Sequence, residues 1–211
     1  MLYVGGGIWQ KQSKVMKAAV IALDVATGTV AWTKLLDSKN KNGGVRSVIV
    51  DGGRIISTGY VKCPEAGFLF VCDEGIPTVW ELDTAGNLVT TKYLRVEGLG
   101  QGAKIRKDTT GYVMTSTGWG EAGGQQVNHA GLVKLSSSLA VEWSKMFGMA
   151  GGNSQVFDML VDREGNYLLG GHTTVGDGVV NWDFLALKIN SQTKKVEWRK
   201  TFGQPRGFNP R

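Results

Sequence analysis

The sequence predicts an all-β protein assembled from a repeated four-stranded unit, because three landmarks recur in register along its 211 residues. The first is a Trp-x-Lys segment around Trp32, Trp143 and Trp198, with a fourth copy, TTKYL (90–94), that has threonine in the tryptophan place. The second is an apolar segment that ends in glycine, at Gly6, Gly59, Gly118 and Gly171. The third is a tight turn, in DGGR (51–54), DTTGY (108–112) and DREGNY (162–167).

Each unit reads as four antiparallel strands that follow one another along the chain. Strand one is SVIVD (47–51), AKIRKD (103–108) or VFDMLVD (156–162). Strand two is RIISTGY (54–60), YVMTSTGW (112–119) or YLLGGHT (167–173). Strand three is VWELD (79–83), GLVKLS (131–136) or FLALKIN (184–190), and strand four is LVTTKYL (88–94), VEWSKMF (141–147) or VEWRKTF (196–202). Residues 2–36 supply strands two, three and four of an earlier unit.

A repeat of about 50 residues with four antiparallel strands is typical of a β-propeller blade. Middle strands contain nearly continuous apolar runs such as FLAL (184–187), as expected for strands covered on both faces. The sequence therefore predicts a β-propeller segment of about four four-stranded antiparallel blades, the first lacking its inner strand. We expect one domain, 1–211, with blades at 1–36, 43–95, 99–148 and 152–203.

The fourth strand of each unit is predicted to be its outer edge. A lysine at the same place in every unit, at Lys34, Lys92, Lys145 and Lys200, discourages edge-to-edge aggregation. The tryptophan two residues earlier points to the same face of the strand. We expect Trp32, Trp143 and Trp198 to occupy equivalent positions and to pack between blades as structural residues.

Most long connections are predicted to emerge on one face of the propeller. Strands two and three are joined by 7–17, 61–77, 120–130 and 173–182, and the links between blades are also long and rich in glycine. Binding sites are frequent on such loops because a rigid scaffold holds them. The candidate binding residues on this face are Glu121, Asn128, His129, His172, Asp177, Asn181 and Asp183, and ordinary solvated loop chemistry is the alternative interpretation.

Composition narrows the classes of partner. The net charge is +6, but Lys and Arg are scattered without a basic stripe that carries aromatic residues, so we expect no nucleic-acid binding. No apolar run approaches the roughly 20 residues of a membrane span. No motif for a metal, a phosphate-binding loop or a catalytic nucleophile is present, so we predict no metal, cofactor or assigned catalytic residue. Cys63 and Cys72 read either as a pair or as two small, partly buried residues.

The last unit resembles the β-propeller repeats of many bacterial secreted and cell-surface proteins. The resemblance rests on an Asp-x-x-Gly-Asn turn, a strand that ends in glycine, an Asp-Phe-x-x-x-Lys segment and a final tryptophan: Asp162, Gly165, Asn166, Gly171, Asp183, Phe184, Lys188 and Trp198. It extends more weakly over almost the whole chain. It implies a scaffold that binds, located outside the cell or at its surface, and such a setting allows a bridge between Cys63 and Cys72.

ALDVATGTVAW (22–32) resembles the repeat of quinoprotein dehydrogenases through Ala22, Asp24, Thr27, Gly28 and Trp32. In that family the motif packs blades together, and the channel holds pyrroloquinoline quinone and calcium. The chain has one good copy of this motif and no adjacent cysteine pair, and no catalytic aspartate or calcium ligand of that family maps onto it.

The sequence is thus interpreted as a non-enzymatic binding or assembly module that uses the long-loop face for a protein or carbohydrate partner. The alternative is part of a quinoprotein-like dehydrogenase or of a glycosidase- or lyase-type propeller enzyme. Residues 1–6 already read as a second strand, and 203–211 contain two prolines that suit an inner strand poorly. We therefore expect further blades or a partner chain to cover the open ends; the alternative is a four-bladed ring closed by the tail.

Overall fold

The computed structural model describes residues 1–63, 72, 74–122, 124–148, 152–174 and 182–203, and at 122 and 125 it describes the backbone only. The described residues form fifteen β-strands and no helix. The strands are β1 (Leu2–Gln10), β2 (Val15–Leu23), β3 (Val30–Leu35), β4 (Asn42–Asp51), β5 (Arg54–Cys63), β6 (Ile76–Asp83), β7 (Leu88–Tyr93), β8 (Gln101–Lys107), β9 (Gly111–Ala122), β10 (Gln125–Ser136), β11 (Val141–Phe147), β12 (Ser154–Val161), β13 (Tyr167–Thr173), β14 (Asp183–Ile189) and β15 (Val196–Phe202).

The strands pair in chain order into four antiparallel sheets. The first has three strands, β1-β2-β3, and the others have four each: β4 to β7, β8 to β11 and β12 to β15. We call these sheets blades 1 to 4. The predicted β-propeller segment of about four blades, the first lacking its inner strand, is confirmed.

The outer strands share one register, which confirms the equivalence of the three tryptophans. Trp32 lies opposite Ala22, Trp143 opposite Lys134, and Trp198 opposite Lys188. In each pair the register shifts directly after the middle-strand residue, and blade 2 has the same shift after Glu81, opposite Thr90. A bulge at the same place in four sheets shows that the units are true structural repeats.

The hydrophobic core lies between blades rather than within them. One cluster joins blades 1 and 2 around Val20, Leu36 and Trp80. A second joins blades 2 and 3, and a third joins blades 3 and 4 around Leu132 and Leu187. A single antiparallel sheet has no interior of its own, so each blade is stabilised by its neighbours.

The tryptophan of a blade packs on the next blade along the chain. The Trp32 indole N–H donates to the Thr84 carbonyl oxygen at 3.3 Å, and Trp143 lies 6.2 Å from the Tyr167 ring, centroid to centroid. Trp198, in blade 4, is 38% exposed. The expected packing between blades is therefore present for Trp32 and Trp143, and it is wrong for Trp198, because no described blade follows it.

Each complete blade has a bulge in its inner strand, and the residue opposite it is small. Gly59 and Gly171 stand at this place because a Cβ there would overlap the carbonyl oxygen of the inner strand. In blade 3 the residue opposite the bulge is Ser116, so the Gly118 landmark is two residues out of register. Gly6 holds the equivalent place in blade 1, where a Cβ would meet nothing within 4 Å, since β1 has no inner neighbour among the described strands.

Polar contacts also connect successive blades at the end where strand one turns into strand two. The Tyr112 hydroxyl of blade 3 donates to Asp51 of blade 2 at 2.7 Å, and Tyr167 of blade 4 donates to Asp108 of blade 3 at 3.2 Å. Burial and the hydrogen bond to Asp51 raise the pKa of Tyr112 to about 12. Asp108 also forms a buried ion pair with Lys134 at 3.0 Å. These contacts fix the angle between neighbouring blades.

Cys63 and Cys72 form a disulfide, with their Cα atoms 6.0 Å apart. This confirms the paired interpretation of the two cysteines. Both side chains are buried beside Tyr60 and Met16, at the junction of blades 1 and 2. The bridge closes a connection of which 64–71 and 73 lie outside the described residues.

Candidate binding face at the hairpin ends of the blades

Strands two and three of each blade turn into one another at the same end of the propeller where the links between blades begin. We call this end the hairpin face. Two of its predicted long loops are in fact strand: 7–17 lies largely in β1 and β2, and 120–130 lies largely in β9 and β10. The prediction was wrong because polar and glycine-rich sequence was taken as loop, whereas the backbone continues its ladder through it.

The sequence-predicted site residues therefore lie mostly on strands. Glu121 is exposed near the end of β9, and Asp183 is the partly buried first residue of β14. Asn128 and His129 are buried on β10, and His172 is partly buried on β13. His129 is on the third strand of blade 3, whereas His172 is on the second strand of blade 4. Asp177 and Asn181 lie outside the described residues.

Asn128 belongs to a clamp between blades 3 and 4. Its backbone N–H donates to the Asn153 side-chain oxygen at 2.8 Å, and Asn153 is further held by Thr174, whose backbone N–H donates to the Asn153 carbonyl at 2.9 Å. Blades 1 and 2 have the same device, in which the Met16 backbone N–H donates to the Asn42 side-chain oxygen at 2.8 Å. The link asparagines thus fix the spacing between strands on the hairpin face.

His129 is enclosed rather than presented. Its ring lies against Gly120 and Gly148, where a Cβ would overlap the imidazole. The residue is 6% exposed, and neither ring nitrogen has a hydrogen-bond partner among the described residues. Glycine at both flanking positions is what allows the ring to fit at this place.

His172 is the centre of an aromatic group on blade 4. Its ring lies 4.9 Å from Phe157 in an edge-on arrangement and 4.0 Å from Trp182, measured between centroids. The Nε2 atom is 2.7 Å from the Gln155 side-chain oxygen, which fixes the ring plane. Burial lowers the pKa of His172, which favours the neutral imidazole.

The seven tryptophans divide into two structural groups and one further residue. Three of them follow the Trp-x-Lys pattern of the outer strands, and Trp80 is fully buried in blade 2. The other three, Trp9, Trp119 and Trp182, are on the hairpin face of blades 1, 3 and 4, each between 42 and 51% exposed. Trp9 and Trp119 hold the same register place, three residues beyond Gly6 and Ser116 respectively.

None of these three tryptophans is among the predicted binding residues, although the sequence contains a signal for them. Each lies near the connection between strands two and three, in IWQ, GWG or NWD, and away from the outer-strand position of the repeat, although Trp9 is also followed two residues later by a lysine. Aromatic residues in such a segment cannot be required by the core between blades. Only polar loop residues were weighed as ligands, so the exposed indoles were overlooked.

A cleft of about 380 Å³ opens between blades 1 and 2 next to this face. It is lined by Gly5, Gly6, Gly7, Met16, Gly44, Val45, Arg46 and Tyr60. Burial lowers the pKa of the Arg46 guanidinium and raises that of the Tyr60 hydroxyl. The cleft follows the free inner edge of β1, where backbone groups face outward without a neighbouring strand among the described residues.

Within the described ranges, no group of three or more His, Cys, Asp or Glu side chains could hold a metal ion, and no helix could cross a membrane. The sequence matches no model of a known protein family, and no curated protein matches it either. A proposal for the function therefore rests on the fold and on the geometry of the hairpin face.

Proposed function

We propose that the protein is a non-enzymatic binding module whose hairpin face takes a protein partner. The observation that carries this proposal is the set of exposed tryptophans, Trp9, Trp119 and Trp182, on one end of a rigid scaffold. Tryptophan is enriched among the residues that dominate binding energy at protein interfaces. A solvent-exposed indole in a strand or hairpin has no role in the core between blades.

The surroundings of these indoles support a preformed site. The asparagine clamps at Asn42 and Asn153 hold the blades in place through backbone hydrogen bonds. Trp182 rests on His172, which is itself bonded to Gln155. A side chain that is already packed loses little conformational entropy when it binds, so more of its contact energy is retained as affinity.

The enzyme alternative, part of a quinoprotein-like dehydrogenase or of a glycosidase- or lyase-type propeller, would need ionisable groups that converge on the hairpin face. Arg54 holds the pKa of Glu81 below its usual range, and backbone and lysine contacts hold that of Asp162 down against its burial. Both carboxylates, like the ion pair of Asp108 with Lys134, lie toward the opposite ends of the blades. The position of these groups, away from the hairpin face, supports a binding module over an enzyme in our proposal.

The compartment forms part of the same proposal. The disulfide between Cys63 and Cys72 fits an oxidising environment, where such bonds persist. The bacterial propeller repeats that the last unit resembles are common in secreted and cell-surface proteins. We therefore propose a location outside the cytoplasm for the protein and its partner.

The test uses arrays of purified surface proteins and of glycans, probed with fluorescently labelled protein. The triple variant Trp9→Ala, Trp119→Ala and Trp182→Ala should lose the signal on protein spots, whereas Trp198→Ala, which removes an exposed tryptophan from an outer strand, should keep it. Signal confined to glycan spots and lost in the triple variant would assign a carbohydrate partner instead. Signals that the triple variant retains in full would refute a role of the hairpin face.

A further inference from the structure

Each blade has one surface that packs against the following blade, which we call its forward face. In blade 3 the forward face carries Val113, Ala130, Leu132, Trp143 and Phe147. These residues pack in the cluster shared with blade 4. The forward face is therefore an interface that the chain uses three times, once at each junction.

One register position shows what happens at the fourth forward face. The residue four places after the Trp32 position is Leu36 in blade 1, Leu94 in blade 2 and Phe147 in blade 3, and these side chains are 1, 4 and 5% exposed. Phe202 holds the same position in blade 4 and is 58% exposed. The same kind of residue is present, but nothing among the described residues covers it.

The neighbours of Phe202 are also exposed in blade 4, as a comparison with blade 3 shows for Phe184. Phe184, directly opposite on β14, is 75% exposed, while Ala130 at the same register place in blade 3 is fully buried. Trp198, on the same side of β15, is partly uncovered as well. Blade 4 therefore exposes a contiguous aromatic surface at the place where the other three blades bury apolar side chains. Large exposed apolar patches mark interaction sites.

The opposite end of the chain has the complementary surface. The backward face of blade 3, which packs on blade 2, includes Tyr112 and Met114, both buried. The equivalent residues of blade 1 are Leu2 and Val4, which are 54 and 42% exposed. Blade 1 thus has apolar residues in the positions that contact a preceding blade, and no described blade precedes it.

We infer that the forward face of blade 4 docks on the backward face of blade 1 of a second copy of this chain, head to tail. The occupant follows from the chain itself, because one copy carries both halves of an interface it already uses at three internal junctions. Such a contact is heterologous, with different surfaces meeting on the two copies. Two copies together present eight sheets, four from each, which is at the upper end of the four to eight blades of typical propellers.

The polar groups at the two faces leave no aspartate without a partner in this pairing. At the internal junction, Asp108 of blade 3 accepts a hydrogen bond from Tyr167 of blade 4. The equivalent acceptor on blade 4, Asp162, is satisfied within its own blade by Lys188 at 3.3 Å and by the Asn166 backbone N–H at 2.7 Å. The residue of blade 1 that would face it is Leu2, which has no hydroxyl group. The pairing therefore lacks the tyrosine-to-aspartate hydrogen bond of the internal junction, while Asp162 keeps the partners within its own blade.

The inference is tested by mass measurement and by charged substitutions on surfaces that are exposed in the single chain. Wild-type protein should show a mass of two or more chains, about 45 kDa or above against 22.7 kDa for one chain, at concentrations on the order of 100 μM. The forward variant is Phe184→Asp with Phe202→Asp, and the backward variant is Leu2→Asp with Val4→Asp. Val89→Asp, at an exposed position on the outer strand of blade 2, is the matched control and should assemble like wild type.

Mixing distinguishes head-to-tail contact from other arrangements. Each variant alone should be monomeric, and its circular-dichroism spectrum and its melting curve at low protein concentration, where wild type is also monomeric, should match those of wild type as the check on folding. An equimolar mixture of the two variants should give a heterodimer, because one intact forward face and one intact backward face remain. The inference is overturned if wild-type protein is monomeric, if the backward variant alone still associates, or if the mixture stays monomeric. None of these variants alters the three exposed tryptophans of the hairpin face, so partner binding can succeed or fail independently.

Discussion

Replacing Trp143 and Trp198 by alanine, one at a time, tests the claim that the outer-strand tryptophan stabilises a blade by packing on the blade that follows it. The two residues hold the same register position on β11 and β15. Trp143 lies between its own sheet and the next, with Tyr167 at 6.2 Å and the Lys194 ammonium 5.6 Å from its ring. No described blade follows Trp198, which is 38% exposed.

The expected magnitudes follow from this difference. A fully buried tryptophan truncated to alanine costs about 3–5 kcal/mol, and Trp143 is partly buried, so we expect a loss of about 3 kcal/mol in the free energy of unfolding. For Trp198 we expect about 1 kcal/mol, since no second blade packs on it. At roughly 2–4 °C per kcal/mol for a chain of this size, the two melting temperatures should differ by about 4–8 °C.

Thermal unfolding followed by circular dichroism at low protein concentration measures both values while the forward face of blade 4 stays uncovered. Trp119→Ala, at an exposed position on the hairpin face, controls for the loss of an indole and should cost about 1 kcal/mol or less. Equal losses for Trp143→Ala and Trp198→Ala would refute the reasoning, because the following blade would then contribute nothing. At high concentration the cost of Trp198→Ala should rise as the head-to-tail contact forms.

Three further outcomes are expected. Gly171→Ala should lower the free energy of unfolding by about 3 kcal/mol, because its Cβ would overlap an inner-strand carbonyl, whereas Gly6→Ala should be nearly neutral; equal melting temperatures would contradict the shared register. Glu81→Gln should lower the free energy of unfolding at pH values above 4.5, the ordinary pKa of this group, because the ion pair with Arg54 is lost. Urea titrations should show the difference in free energy between wild type and variant shrink as the pH falls through the lowered folded-state pKa. Removing the disulfide with Cys63→Ala and Cys72→Ala should lower the melting temperature by about 5–10 °C, from about 2.5 kcal/mol of loop-closure entropy; an unchanged value would show that the bridge constrains little.

The strand pattern of this fold could be predicted from the sequence because its signals are local and repeated. The bounds of β13 and β15 agree with the predicted 167–173 and 196–202. The inner strand β4 begins at Asn42, five residues before the predicted start at Ser47. The difference arises because Gly43 and Gly44 look like a link in the sequence, while in the sheet they allow close approach to β5.

The candidate site was predictable only as a location. Asn128 and His172 do lie at the predicted end of the propeller, where strands two and three meet the blade links, and the role of that end in binding stays a prediction. The roles of these residues were not predictable, because Asn128 is fixed by a hydrogen bond to a residue 25 positions away. Whether a polar side chain is exposed or clamped depends on packing between blades, which a single sequence does not display.

Because each core cluster lies between two blades, the chain behaves as a row of units coupled only to their nearest neighbours. Among the described strands, blades 2 and 3 have two neighbouring blades, and blades 1 and 4 have one each. Amide hydrogen exchange should then be fastest at the two ends of the row and slowest in β5 and β9, since the end units open without disturbing the middle. A molecule that covers an end would slow exchange there first, so assembly would be recorded as a change in the local folding equilibrium.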